Sequence, residues 1–164
     1  MLRTNTCGEL GKKNAGEKVI LSGWVEAHRI QGRISFILLR DRYGITQIFV
    51  TPKLTKKLGE IRRETVLQIK GEVQARPENQ INKEFSTGEI EVAAEEINIL
   101  NKADPLPLET DIDSTEQIRL KYRYLDLRTP DMQKNLLIRH KAIQFIRDYL
   151  NKVPQQEELV LEEE

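Results

Sequence analysis

The residues that could do chemistry lie close together, between Gly32 and Val50, in the run GRISFILLRDRYGITQIFV. Phe36 offers an aromatic face, Gln47 an amide that both donates and accepts, and Arg40 and Arg42 bring positive charge nearby. Holding an unpaired nucleobase needs such groups: a ring to stack on its face and an amide to read its edge. The competing reading makes Phe36 one more core residue and Gln47 a solvated strand position. The elements that carry the two side chains decide between these readings.

Ile34 to Arg40 is mostly apolar and β-favouring, Asp41-Arg42-Tyr43-Gly44 has turn chemistry, and Ile45 to Val50 resumes with Ile, Thr, Phe and Val, which predicts a β-hairpin. Alternation puts Ile34, Phe36, Leu38 and Arg40 on one side and Ser35, Ile37 and Leu39 on the other, with Gln47 expected near Phe36 across the hairpin. Upstream, Thr4 to Asn14 reads as a short polar helix or turn. Val19 to Arg29 reads as a first strand, with Val19, Leu21, Gly23 and Val25 on one face and Ile20, Ser22, Trp24, Glu26 and His28 on the other. Gly23 is expected to mark a bulge or bend.

Downstream, Thr51-Pro52 starts a helix in which Leu54, Leu58 and Ile61 recur at helical spacing through Arg63, with Lys53, Lys56, Lys57, Arg62 and Arg63 on its solvated face. Thr65 to Val73 and Ile90 to Leu100 are the fourth and fifth strands, joined by the polar, turn-rich loop Arg76 to Gly88. Five strands with one helix between the third and fourth is the layout of an OB-fold, a mainly β class of small barrel that binds oligonucleotides on its second and third strands and the neighbouring loops.

Beyond residue 100 the texture changes. Pro105, Pro107 and four acids mark a linker, and Ser114 with Gln117 forms a capping box for a short helix through Lys121. Thr129-Pro130 starts a longer helix whose apolar stripe, Met132, Leu136, Ile143, Ile146 and Leu150, wants a partner; Pro154 ends it before an acidic tail. The expected organisation is a barrel over 1–103, a linker and hinge over 104–129, a long helix over 130–153 and a tail over 154–164.

The 164 residues carry 26 basic and 26 acidic side chains, a net charge of zero. A chain so balanced should not coat nucleic acid indiscriminately; if it binds RNA, it does so through a local patch and base contacts. The 1–100 stretch is slightly basic and the last eight residues hold five glutamates. No apolar run reaches the length of a membrane span, and the single cysteine excludes a disulfide framework, so a reducing cytoplasm is the default compartment. No Gly-rich phosphate loop, paired histidines at metal spacing or nucleophile with an evident base is present. His28 and His140 fall in different elements, with His28 expected as an exposed strand residue. Cys7 reads as a packing residue, Asp111 and Asp113 as a solvated pair, and Tyr122 and Tyr124 as packing residues.

The blocks MLRTNTCGEL, VILSGWV, FILLRDRYGITQ, TGEIEV, NKADPLPL and IRLKYRYLDLR, in that order, resemble the N-terminal part of the aspartate–tRNA ligases, class II aminoacyl-tRNA synthetases of the bacterial-like type, over Met1 to about Leu150. The resemblance implies that the barrel binds a tRNA anticodon, of aspartate type. Phe36 would then stack on the central uridine and Gln47 would hydrogen-bond its edge. Arg29 would hold the first anticodon base or its phosphate, and Arg76, Asn82 and Glu91 would approach from the other side, Glu91 as acceptor for a guanine edge. The sequence departs from the family at Ala27-His28, where basic residues are usual, at Leu38, usually an acid, and at Ser35, usually aliphatic.

After Leu150 the family continues into the first of three class II motifs, whereas this chain reads NKVPQQEELVLEEE. A chain without those motifs is expected to be inactive alone. It is expected to need no cofactor itself, the ATP and Mg of the full-length family acting at the missing motifs, and a dimer through the 130–150 helix is possible. Two alternatives stand beside anticodon binding: a fragment of a complete ligase whose activity needs the missing part, and a barrel turned protein-interaction module.

Overall fold

A computed structural model describes residues 1–59, 61–107 and 115–152. Two compact units divide the chain, Met1–Pro105 and Leu106–Glu164. In the first, five strands close a barrel in the order β1-β2-β3-β5-β4: β1 (Lys18–Gln31), β2 (Ile34–Arg40), β3 (Ile45–Val50), β4 (Val66–Ala75) and β5 (Ile90–Asn101). All pairings are antiparallel except β3 with β5, where Ile48 faces Val92. Helix α1 (Pro52–Leu58) lies between β3 and β4 in the chain. This is the OB-fold, with its helix where the strand pattern put it.

The inward face is apolar because alternation places it so. Val19, Leu21 and Val25 of β1, Ile37 and Leu39 of β2, Ile48 and Val50 of β3, Leu67, Ile69 and Val73 of β4, and Ile90 and Val92 of β5 are buried together. Their side chains leave water at roughly 1.5–3 kcal/mol each, which holds the barrel shut. Cys7 and Leu10 join this core from the segment before β1, where the only helical turn is the 3-10 stretch Lys12–Asn14.

Several local expectations need correction. Helix α1 stops at Leu58 instead of running to Arg63, because Gly59 takes φ +65° and caps it; Ile61 reaches the core from beyond the helix. The bulge in β1 is not at Gly23 but between Val25 and Ala27. Gly23 instead lies against the backbone of Arg40, where a Cβ would sit 2.4 Å from the carbonyl oxygen. The bulge changes the parity of β1. Ahead of it, even-numbered Trp24 pairs with Arg40 on the outer side; after it, odd-numbered Ala27 and Arg29 pair with Leu38 and Phe36 on that same outer side.

The parity change also turns His28 away from the outer face. It pairs with Ile37, is half-buried, and accepts a hydrogen bond at Nδ1 from the Ile61 N–H, 3.3 Å away. It is not the exposed strand histidine that unbroken alternation suggested.

In the second unit, α2 (Glu116–Lys121), α3 (Arg123–Asp126) and α4 (Pro130–Lys152) follow one another. The N-cap of α2 is Thr115; Ser114, and with it the expected capping box, lies outside the described residues, as do Asp111, Asp113 and the 153–164 tail. The α2–α3 corner is tied by the buried carboxylate of Asp126, which takes Arg119 Nε at 2.7 Å and pairs with Arg123. Along α4, Leu136, Ile143, Ile146 and Leu150 are exposed. Tyr122 is half-buried under the Lys121 ammonium, and Tyr124 is exposed. No described helix is long and apolar enough to cross a membrane.

Candidate nucleic-acid interface

The outer side of the β2–β3 hairpin forms one wall of a cleft of about 410 Å³. Phe36 and Leu38 from β2, Gln47 from β3 and Ala27, Arg29 and Gln31 from β1 line this wall; Arg76, Gln80, Asn82, Glu84 and Phe85, all from the β4–β5 loop, line the other. Five of the six residues singled out from the sequence therefore meet in a single concavity. The sixth, Glu91 on β5, is connected to it by Gln47, whose Nε2 donates to Glu91 Oε2 at 2.9 Å.

Phe36 is half-buried, and it packs on one side against Phe49, its register partner on β3, with ring centroids 5.8 Å apart and planes tilted by 55°. That contact fixes the ring on the cleft wall. Gln47 pairs directly with Leu38, not Phe36, so the amide sits one rung diagonally from the ring. With Nε2 committed to Glu91, Gln47 keeps its Oε1 as an acceptor, and Glu91 keeps a second carboxylate oxygen.

The cations divide sharply. Arg40, expected beside the ring, is consumed elsewhere. Its Nε donates to Glu26 at 2.6 Å, its Nη2 to Glu64 at 2.5 Å, and its guanidinium lies 5.8 Å from the centre of the Trp24 ring. Arg42 is exposed at the hairpin turn and is not among the residues of the cleft. The side chains of Arg29 and Arg76, by contrast, make no hydrogen bond or ion pair with any described residue, and Arg76 Nε is buried with no partner. A buried donor left unsatisfied in a cleft wall calls for an acceptor from outside.

The loop wall is held by its own backbone. The Arg76 N–H donates to Glu89 O at 2.9 Å, Asn82 N–H to Gly88 O at 3.1 Å and Gly88 N–H to Phe85 O at 3.0 Å; the Thr87 hydroxyl donates to Ile45 O on β3. Gly88 is obligatory, since a Cβ there would lie 1.6 Å from Asn82 O. Asn82 Oδ1 accepts the Glu84 N–H at 2.9 Å, which leaves its Nδ2 as the free donor. Gln31, Gln80, Glu84 and Phe85 were missed in the sequence. Gln31 ends β1 and the other three sit in the turn-rich segment between β4 and β5; nothing local says that the 76–88 loop faces the hairpin.

Ser35 and Cys7 are structural. Ser35 is buried with Oγ 3.1 Å from Thr55 Oγ1, which anchors α1 to β2. Cys7 is fully buried, its N–H donating to Asp41 Oδ2 at 2.9 Å; burial first and the Asp41 carboxylate next push its thiol up to about 12.

Set beside known proteins, residues 19–100 match the family described as "OB-fold nucleic acid binding domain", and residues 115–154 match "tRNA synthetases class II (D, K and N)". An aspartate–tRNA ligase of Thermosipho africanus is 52% identical over 157 residues, which is 93% of this chain and 26% of the relative. An aspartate–tRNA(Asp/Asn) ligase of Desulfosudis oleivorans is 48% identical, covering 92% of this chain and 26% of its own. The chain thus spans about a quarter of the length of these relatives. Among solved structures, the aspartyl tRNA synthetase of Entamoeba histolytica superposes with a TM-score of 0.81 at 20% identity, over 92% of this chain and 37% of that one, which shows the shared fold.

Proposed function

We propose, from the premise that this chain belongs to the OB-fold nucleic acid binding domain family, that the cleft between its β2–β3 hairpin and its 76–88 loop holds the unpaired anticodon of a tRNA. The observation that carries the reading is the meeting of Phe36, Gln47, Arg29, Arg76 and Asn82 in one cleft, with Glu91 bonded to Gln47. Phe36 stacks on the central base. Gln47 Oε1 accepts from that base's edge, which suits the N3–H of a uracil. Arg29, paired with Phe36 across β1 and β2, takes the neighbouring phosphate or base. The Arg76 guanidinium, whose Nε has no partner among the described residues, and the Asn82 amide hold the chain from the loop side, and Glu91 accepts a guanine edge through the oxygen that Gln47 leaves free.

The aspartate type of the tRNA is supported by the names of the relatives matched over nine-tenths of this chain. In the same proposal, aspartate–tRNA ligation is the activity of the larger protein that these relatives represent, acting in the cytoplasm, and its ATP and Mg bind beyond the residues described. Among the described residues no group of three or more His, Cys, Asp or Glu side chains could hold a metal ion. The exposed apolar stripe of α4 is assigned to a second copy of the chain; sedimentation of the wild type against Leu136→Lys checks that assignment, and a monomeric wild type contradicts it.

The experiment for the cleft is an equilibrium titration with an aspartate-type anticodon stem-loop. Phe36→Ala and Gln47→Ala should both bind more weakly than the wild type. Equal affinity of all three would remove the assignment and favour the reading in which Leu38 and the cleft floor serve a protein partner.

A further inference from the structure

Phe85 lies in the loop wall of the cleft that contains Phe36, and neither strand patterning nor the family resemblance gave it a role. We infer that Phe85 is a second stacking platform, which holds the base adjacent to the one on Phe36, so that the cleft grips two consecutive unpaired bases. The inference rests on the anticodon reading above and extends it by one nucleotide.

Three observations carry it. The ring is half-buried and absent from the barrel core, in a loop whose neighbours Lys83, Glu84 and Ser86 are polar and exposed. An apolar ring kept in a polar loop and lining a cleft offers a platform for a flat apolar ligand. Its backbone is fixed before any ligand arrives: the Phe85 carbonyl accepts the Gly88 N–H, Asn82 N–H bonds to Gly88 O, and Thr87 ties the loop to β3. A loop backbone held this way loses little freedom on binding. Finally, Glu84 lines the cleft beside it. A carboxylate there repels phosphate, so this part of the wall meets bases while Arg29 and Arg76 meet the backbone.

Stacking is tolerant of letter, because every base has a π-face. Phe85 therefore adds affinity at the neighbouring position without choosing its identity, in contrast to the amide and carboxylate of Gln47 and Glu91, which read edges.

The test uses the full chain and three stem-loops: the intact RNA and two with an abasic site on one or the other side of the central base. Phe85→Ala should weaken the intact RNA on the order of tenfold, and Phe85→Trp should retain binding. On one of the two abasic RNAs the wild type and Phe85→Ala should bind alike, whereas exchanging the letter at that position should cost less than removing it. Phe85→Ala binding as the wild type does, while Phe36→Ala is weakened, overturns this inference and leaves the anticodon reading standing. A loss that persists undiminished on both abasic RNAs overturns it too, since the ring would then be supporting the loop and not a base. Absence of any effect from Phe36→Ala strikes the underlying reading instead.

Discussion

Two clusters of polar side chains share the outer surface of β1 and β2, and they use their arginines in opposite ways. Around Trp24, Arg40 is closed by Glu26 and Glu64, Arg63 pairs with Glu26, and Arg3 lies 3.5 Å from Asp41. Across the bulge, Arg29 and Arg76 have no protein partner in the described residues. The first cluster spends its charge on the fold; the second keeps it for a ligand. A zero net charge therefore says nothing against nucleic-acid binding, because the balance is struck locally, and the Val25/Ala27 bulge is the boundary between the two regimes.

At neutral pH the largest effect that can test this division is on stability. Arg40→Ala removes the guanidinium that donates to Glu26 and to Glu64, whose side chain is only 6% exposed. Thermal or urea unfolding should show a loss of about 2–3 kcal/mol, below the figure for a fully buried pair because Arg40 is itself partly solvated. Arg29→Ala should leave stability within about 0.5 kcal/mol. Comparable losses from the two would erase the contrast.

Next comes affinity. Phe36→Ala should cost roughly 1–3 kcal/mol of stem-loop binding, with secondary structure by circular dichroism unchanged, whereas the folded fraction of Arg40→Ala should bind as the wild type does. A pH-dependent effect, confined to alkaline solution, probes the closed side. The Cys7 thiol, beside Asp41, holds its proton to about 12 in the folded chain, above the ordinary value of 9.0. Between those values the unfolded chain has lost a proton that the folded one keeps, so stability is fully present below about pH 9 and falls as pH rises toward 12. The slope should approach about 1.4 kcal/mol per pH unit. Cys7→Ala should flatten that decline, which unfolding at stepped alkaline pH would reveal. Smallest of all, Arg29→Ala should weaken RNA binding a few-fold and reduce its salt slope by about one phosphate; an unchanged slope would make Arg29 a base contact alone.

The hairpin was legible because three signals agree there: alternation in Ile34–Arg40, turn chemistry in DRYG and a β-favouring return in Ile45–Val50. The placement of Phe36 and Leu38 on the open face follows from the same period of two. The faces of Arg29 and His28 did not follow, because one extra residue in β1 inverts every position after it, and a bulge leaves little trace in composition. The end of α1 was misplaced for a similar reason: Ile61 keeps helical spacing but reaches the core after Gly59 has reversed the backbone. Arg40 and Phe85 were misjudged or missed because their surroundings are assembled from distant segments, Glu64 for one and the hairpin face for the other.

A double-mutant cycle between protein and RNA asks whether the central base rests on Phe36. Wild type and Phe36→Ala are each titrated with the intact anticodon stem-loop and with one lacking only its central base. The wild type should lose more affinity than Phe36→Ala when that base is removed, the smaller loss in the variant being the edge contact that Gln47 keeps. If both proteins lose the same factor, the ring is not where the base rests, and the cleft is not an anticodon site.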